Sequence, residues 1–393
     1  MLRKITILAL LSFICLGCGN HSQTSITLQF LHFWTEPKQQ ALIDSLVTAF
    51  EQRYPHIKIE QIPVQWSEGR TKLLLSHSSG NPPDITHLGI EWAQEFIDNN
   101  VFAPISLDKQ RIPQQFFLPI TGKDGKLYCK PWTMNTRALI FSHNLSTLDT
   151  IDLGWDDIIE RMNASTIIGI NSAEPHNVSK KLLPIIWSTG STLFQTLPLS
   201  ATCDSQLIEG LHLVRKLTKH ARIEQSRKLD DYVVNGTIQA VITGQWILPR
   251  LTNIPHLIVS SIPGKSGASI LSGDCLGVSA SSRYPEEAAL FVSFITDYDK
   301  VKNMCLTLQD IGLPADLQSW TDIDFQANRD IAQFTQQTRI SKILPSPPYF
   351  LDAERILEEQ LMLFIYGKAN EYELLNSLKS QLLTLEKSKK KGS

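Results

Sequence analysis

Several things are scarce in this 393-residue chain, and each scarcity removes a class of function. Charged residues make up only 19%, and the formal net charge is −2, so there is no electrostatic footprint for nucleic acid. Among the four cysteines beyond the first twenty residues there is no C-x-x-C, which excludes the common redox and zinc-ribbon spacings there. Ten histidines include no H-E-x-x-H, and no metal site or cofactor is expected. "PGKSG" holds Gly264-Lys265-Ser266, but Val259 stands where a phosphate loop needs its first glycine. Beyond the first twenty residues no apolar run is long enough to span a bilayer. What remains, with 42% hydrophobic residues, is a globular chain with room for two domains.

The first residues differ from the rest. Arg3 and Lys4 precede an apolar run, Ile5 to Leu16, and then "GCGN". This reads as a secretory signal over residues 1–17, too short for a comfortable span. Cys18 after Gly17 resembles a lipobox, with Cys15 and Leu16 where that pattern has Leu and a small residue. The expectation is a lipidated Cys18, a polar tether to residue 25, and an exported protein anchored at a periplasmic or cell-surface membrane. Cys129, Cys203, Cys275 and Cys305 then remain, and their spacing suggests no disulfide framework.

From Ile26 onward, period-two and period-3.6 segments alternate. "ITLQFLHFW" reads as a strand. "KQQALIDSLVTAFEQRY" reads as a helix with Leu42, Leu46, Ala49, Phe50 and Arg53 on one face, and Pro55 beyond its end. "HIKIEQIPVQW" and "PDITHLG" read as strands, with a short helix between them. Later, Trp155–Asn163, Lys180–Trp187 and Asp204–His220 read as helices, the last capped by Asp204. "ILSGDCLGVSA" reads as a strand and "RYPEEAALFVSFIT" as a helix opened by Pro285. "ILPSPPYF" is a connector. A last helical region covers about Leu351 to Glu386, and a basic tail occupies residues 388–393. Alternation of this kind predicts an α/β fold with mostly parallel sheets, whose ligands bind beyond the carboxyl ends of strands.

One spacing has a catalytic look. "GDCLG" places Cys275 between Gly273 and Gly277, as in a nucleophile elbow with Cys for Ser. The run after Cys275 continues as strand rather than turning into helix, so an exported Cys hydrolase is the lesser alternative. Aromatics are the stronger signal. Trp34, Trp132, Trp246 and Tyr349 fall in loops or at strand ends, with Glu36, Asp84 and Asn135 beside three of them. Flat rings cover the C–H faces of a sugar, and carboxylates and amides satisfy its hydroxyls.

The pieces "FWTE", "FEQRYPHIKIE", "LLLSHSSGNPPDITHLG", "GKLYCKPWTMNTRALIFSHNL", "AVITGQWIL", "SGDCLGVSASSRYPEEAALFVSFIT" and "ILPSPPYF" occur in an order that resembles extracellular solute-binding protein family 1. This is the maltose-binding-protein type that serves ATP-driven importers. The resemblance implies a periplasmic-binding-protein-like fold: two α/β lobes around a ligand cleft, joined by crossing segments. It implies a first lobe of residues 26–134 plus 275–325, and a second of 135–274 plus 326–387. The first crossing would be "PWTMNTRALIF", the second near Gly273 and the third between Gly312 and Asp330. It further implies a non-enzyme that captures a sugar, polyol or sugar phosphate, acts as a monomer and delivers its solute to membrane permease subunits. The ligand set implied is Trp34, Glu36, Gln65, Asp84, Trp132, Asn135, Trp246, Gly273 and Tyr349. A phosphate would need Arg137 or Arg70 to point inward. A surface receptor of the same fold, without a transporter, is the other alternative.

Overall fold

The computed structural model describes residues 25–142, 154–161, 168–172, 174, 176–197, 199, 205–347 and 349–390. The signal segment, Cys18, Cys203 and Asp204 lie outside the described residues. Two sheets organise the chain. The first has the order β11-β4-β10-β3-β1-β2, with β1 Ile26–His32, β2 Ile57–Pro63, β3 Ile85–Gly89, β4 Cys129–Asn135, β10 Ser272–Val278 and β11 Leu313–Pro314. The second has the order β7-β6-β8-β5-β9, with β5 Arg137–Ser142, β6 Ile168–Asn171, β7 Ala221–Glu224, β8 Ala240–Gly244 and β9 Leu257–Ser260. In each sheet three strands run parallel, β2-β1-β3 and β7-β6-β8, and antiparallel strands complete the rest. Helices cover the sheet faces, so strands such as β3 and β5 are buried on both sides and read as continuous apolar runs.

The first helix, Pro37–Arg53, shows the local logic. Pro37 opens it, and Ile43, Val47 and Phe50 are its fully buried residues, at i, i+4 and i+7. The buried stripe is centred one residue away from the expected one: Leu42 and Leu46 are half-buried, and Ala49 and Arg53 face solvent. The last helical region is two helices, Phe350–Ile365 and Glu371–Lys390, separated at Gly367 with φ 69°.

The chain passes between the lobes three times. A single residue, Thr136, separates β4 from β5. Residues 261–271 carry the chain from β9 back to β10, so all of Ser272–Val278 belongs to the first sheet. The third passage runs through the helix Arg329–Ile340, which packs on β4, β5 and β9, and into Lys342, which bridges Ile270. It therefore lies beyond the interval Gly312 to Asp330 that the resemblance implied. The three passages meet at a buried polar knot. Thr136 Oγ1 lies 3.0 Å from the Ile270 carbonyl and 2.7 Å from Ser341 Oγ. Gln337 ties the same helix to the second passage, accepting from Ile262 N–H at 2.8 Å and donating to the Gly267 carbonyl at 2.8 Å. Such buried groups are costly to leave unpaired, so the knot ties the three passages to one another.

Candidate functional site

A cavity of about 1720 Å³ opens between the two sheets, and both lobes line it. Its side chains come from the segments just past strand ends, where an α/β sheet places a ligand. From the first lobe, Glu36 follows β1, Trp66 follows β2, and Glu91 and Trp92 follow β3. From the second, Glu174 follows β6, Ser226 and Asp230 follow β7, and Trp246 follows β8.

Two indole surfaces stand out. Trp66 is 45% exposed and stacks on Trp92, with ring centroids 4.6 Å apart and planes 27° apart. Trp246 on the other lobe donates its Nε1–H to Asp230 Oδ2 at 2.9 Å, and the Arg137 guanidinium lies 5.4 Å from its ring centroid. Each indole stack or ring depends on a glycine at the preceding strand end. A Cβ on Gly244 would sit 1.9 Å from the Trp246 ring, and one on Gly89 would sit 2.9 Å from Trp66. The two lobes thus use the same local device: a strand, a glycine, then a 3-10 turn carrying a tryptophan.

Charged groups fill the space around the rings. Lys180 of the second lobe reaches Glu91 of the first at 2.8 Å. Burial works against the Glu91 carboxylate, yet Lys180, with Arg137 behind it, holds its pKa below the ordinary value. Burial likewise opposes Glu174, but hydrogen bonds from Ser226 and Asn171 leave its pKa lowered. Asp274 accepts from Thr133 Oγ1 at 3.1 Å, and its other oxygen lies 3.5 Å from His87 Nε2.

At the entrance to the helix Val178–Trp187, His176 adopts φ 65° and meets Glu354 through Nδ1 at 2.6 Å. That hydrogen bond raises the His176 pKa. Glu358 accepts the His176 and Ser179 backbone N–H groups at 3.0 Å each, closing the helix terminus with a carboxylate.

Of the residues expected from sequence, Glu36, Asn135, Trp246 and Gly273 line this cavity. The others lie off its lining. Trp132 is 1% exposed, stacks on Trp34 at 4.2 Å and donates to the Ile295 carbonyl at 3.2 Å. Asp84 accepts from Gln29 N–H at 2.9 Å and from Ser282 Oγ at 2.6 Å, tying β1 to the segment after β10. Gln65 stands exposed at the position before the helix Trp66–Ser78 without a side-chain capping bond, and Tyr349 donates to Glu386 at 3.2 Å beside the second core. Gly273 has a backbone reason for its identity: a Cβ there would meet the Thr133 carbonyl at 2.1 Å. Arg137 points inward, whereas Arg70 is engaged by Glu95.

Sequence reading missed Trp66, Trp92, Glu91, Lys180, Asp230 and Asp274. The usable signal was "LGIEW" beside "TGQW", a glycine shortly before tryptophan at two strand ends.

Cys275 lies in mid-strand, fully buried beside Cys129, and burial pushes its thiol well above the ordinary value. The strand runs on to Val278, so no elbow forms there. Among the described residues no cluster could hold a metal ion, and no helix is long and apolar enough to cross a membrane.

A family model described as bacterial extracellular solute-binding protein matches residues 45–333. A putative ABC transporter periplasmic-binding protein of Escherichia coli, YcjN, is 19% identical over 82% of each chain. Among solved structures, an ABC transporter solute-binding protein from Thermotoga lettingae, bound to α-D-tagatose, superposes with a TM-score of 0.78 at 15% identity, covering 92% of this chain and 100% of that one. The GacH receptor of Streptomyces glaucescens, solved unliganded and with acarbose, gives 0.76 at 17% identity, covering 92% and 98%. At these identities the structural likeness shows the fold: two α/β lobes of the periplasmic-binding-protein type.

Proposed function

The chain belongs to the bacterial extracellular solute-binding protein family, and from that premise we propose that it captures a sugar for an ATP-driven importer. The observation that carries the reading is the cavity itself. Tryptophan faces enter it from both lobes, Trp66 and Trp92 on one side and Trp246 on the other, ringed by carboxylates, amides and guanidinium groups. Apolar faces with a hydrogen-bonding rim are what a sugar ring requires. Its volume, about 1720 Å³, exceeds the roughly 300–1,000 Å³ of an ordinary small-molecule site, which leaves room for more than one sugar unit.

The lobes close by bending about the Thr136 knot, because a solute touching both lobes stabilises only the closed form. Glu36, Asn135, Trp246 and Gly273 join Trp66, Trp92, Asp230 and Asp274 as contacts. The closed form delivers its solute to permease subunits, and lipid on Cys18 keeps the protein at the membrane. No bond is made or broken. Sugar-bound or acarbose-bound neighbours of the same fold support the reading.

The test is a thermal-shift screen of residues 25–393 against sugars, polyols and sugar phosphates. A native-state ligand at a hundred times Kd adds about 2.7 kcal/mol of stability. A selective hit that disappears in Trp246→Ala supports the assignment. A hit that survives in Trp246→Ala and Trp66→Ala places binding outside this cavity.

A further inference from the structure

Resting on the solute-binding reading, we infer that the solute carries an oxyanion, a carboxylate or a phosphate on its sugar, and that Arg137 is the residue that receives it. Besides His176, which is bonded to Glu354, the cavity has six basic lining residues: Lys38, Arg70, Arg137, Lys180, Arg227 and Arg250. Three have carboxylate partners: Arg70 with Glu95, Lys180 with Glu91, and Arg250 with Asp231. Lys38 and Arg227 are exposed, so water solvates their charge. Arg137 has neither. It is 5% exposed, its Nη1 donates to the neutral Ser272 Oγ at 2.8 Å, and its Nε has no hydrogen-bond partner. Among the described residues no carboxylate comes within ion-pair distance of it. The negative influences on it come from Glu91, which gives its Oε1 to Lys180, and then from Glu354, which is bonded to His176.

A second buried cation reinforces the first. Lys181 is 3% exposed, and its Nζ also lacks a partner. It lies close enough to Arg137 for the two charges to repel, with Asp230 and Glu174 as partial compensation. Burial without a paired counter-ion is costly for either group, and it draws the Arg137 pKa down to about 10 and that of Lys181 to about 8.

Arg137 lines the cavity, and its Nε is a buried donor without an acceptor, a condition native proteins rarely leave unmatched. The planar fork of Arg favours a two-oxygen acceptor of opposite charge over a single hydroxyl. The position suits this role. Arg137 is the first residue after the Thr136 crossing and lies over the Trp246 ring. A sugar on that ring would therefore present a charged substituent to Arg137 at the pivot, where it is held as the lobes close. The carboxylates nearby have donors on at least one oxygen: Asp230 Oδ2 has Trp246, although its buried Oδ1 has no partner, Glu174 has Asn171 and Ser226, and Glu354 has Ser179 and His176.

The experiment compares matched probes by calorimetry on the wild-type protein: galactotriose with trigalacturonate, and glucose with glucose 6-phosphate. The acidic member of at least one pair should bind about tenfold tighter or better, the scale of one charge-assisted hydrogen bond, and which pair responds separates carboxylate from phosphate. In folded Arg137→Gln that preference should fall to within about twofold, with Arg137→Lys intermediate because it keeps charge but loses the fork. Neutral members binding as tightly as acidic ones in the wild type would overturn the proposal, even if Arg137→Gln failed to fold, and would leave the solute-binding reading intact. An acidic preference that survived in Arg137→Gln would also overturn it. Binding to neither set would count against both readings.

Discussion

The ion pair between Lys180 and Glu91 is the one salt bridge among the described residues that links the two lobes across the cavity, so breaking it tests the hinge directly. The side chains are 12% and 17% exposed and the contact is 2.8 Å. At an effective dielectric near 20, charge centres about 4 Å apart attract by roughly 4 kcal/mol, and desolvation and side-chain ordering take back much of it. A net value of about 1.5 kcal/mol corresponds to roughly a tenfold change in the closed-to-open ratio. Glu91→Gln and Lys180→Met should therefore each shift the ligand-free protein toward open forms. The double substitution should add little, because either single change already removes the pair. The assay is a distance distribution between labels on the exposed positions Lys109 and Lys216, one on each lobe, with and without added salt. Salt should open the wild type and leave the double variant unmoved. Because the Glu91 pKa is depressed, the pair persists above the ordinary carboxylate value and is lost as pH falls through the lowered one, so acid should also open the wild type. Unchanged distances in all three variants, or fully additive shifts, would refute this reasoning.

Three further outcomes are expected. Gly244→Ala forces a Cβ to within 1.9 Å of the Trp246 ring, so it should cost about 1–3 kcal/mol in chemical denaturation and weaken solute binding together with it. Thr136→Val keeps the volume but removes the shared hydroxyl at the crossing, and should lower stability by about 1–3 kcal/mol in urea titration. His176→Asn keeps a residue that tolerates the left-handed backbone while removing the imidazole bonded to Glu354. A raised histidine pKa gives stability that is full below the unfolded value and lost as pH rises through the folded one. The cost of His176→Asn should therefore be largest near about pH 6 and shrink toward about pH 9, as read by denaturation at each pH.

The α/β alternation was legible because each element carried its own period. Ile57–Pro63 alternates buried and exposed positions at its start, and Pro285 with two glutamates opens the helix Pro285–Ile295. The sheet crossing at "PWTMNTRALIF" was expected from the family resemblance, since the residue pattern by itself reads as one strand. The cavity was legible only in part. Trp132 and Trp34 looked like site residues because both lie near strand ends. Yet β4 is flanked by β10 and β11 and covered on its faces, so the two rings stack on each other in the core. Trp66 looked like the end of a strand, whereas β2 stops at Pro63 and Trp66 opens the next helix, which turns its ring outward. Lys180 and Glu91 belong to helical segments 89 residues apart, and nothing local couples them. Which side chains face a cleft depends on how two lobes meet, and that is a long-range property that periodicity does not encode.

The most direct test of the central claim is a crystal structure of the protein with the tightest-binding solute from the screen. One solute should lie between the lobes, touching Trp66 or Trp92 from the first and Trp246 from the second, with the Lys180–Glu91 contact retained or replaced by solute hydrogen bonds. A solute seated elsewhere, such as the smaller groove beside Lys130 and Trp132, or held by one lobe alone, would contradict it.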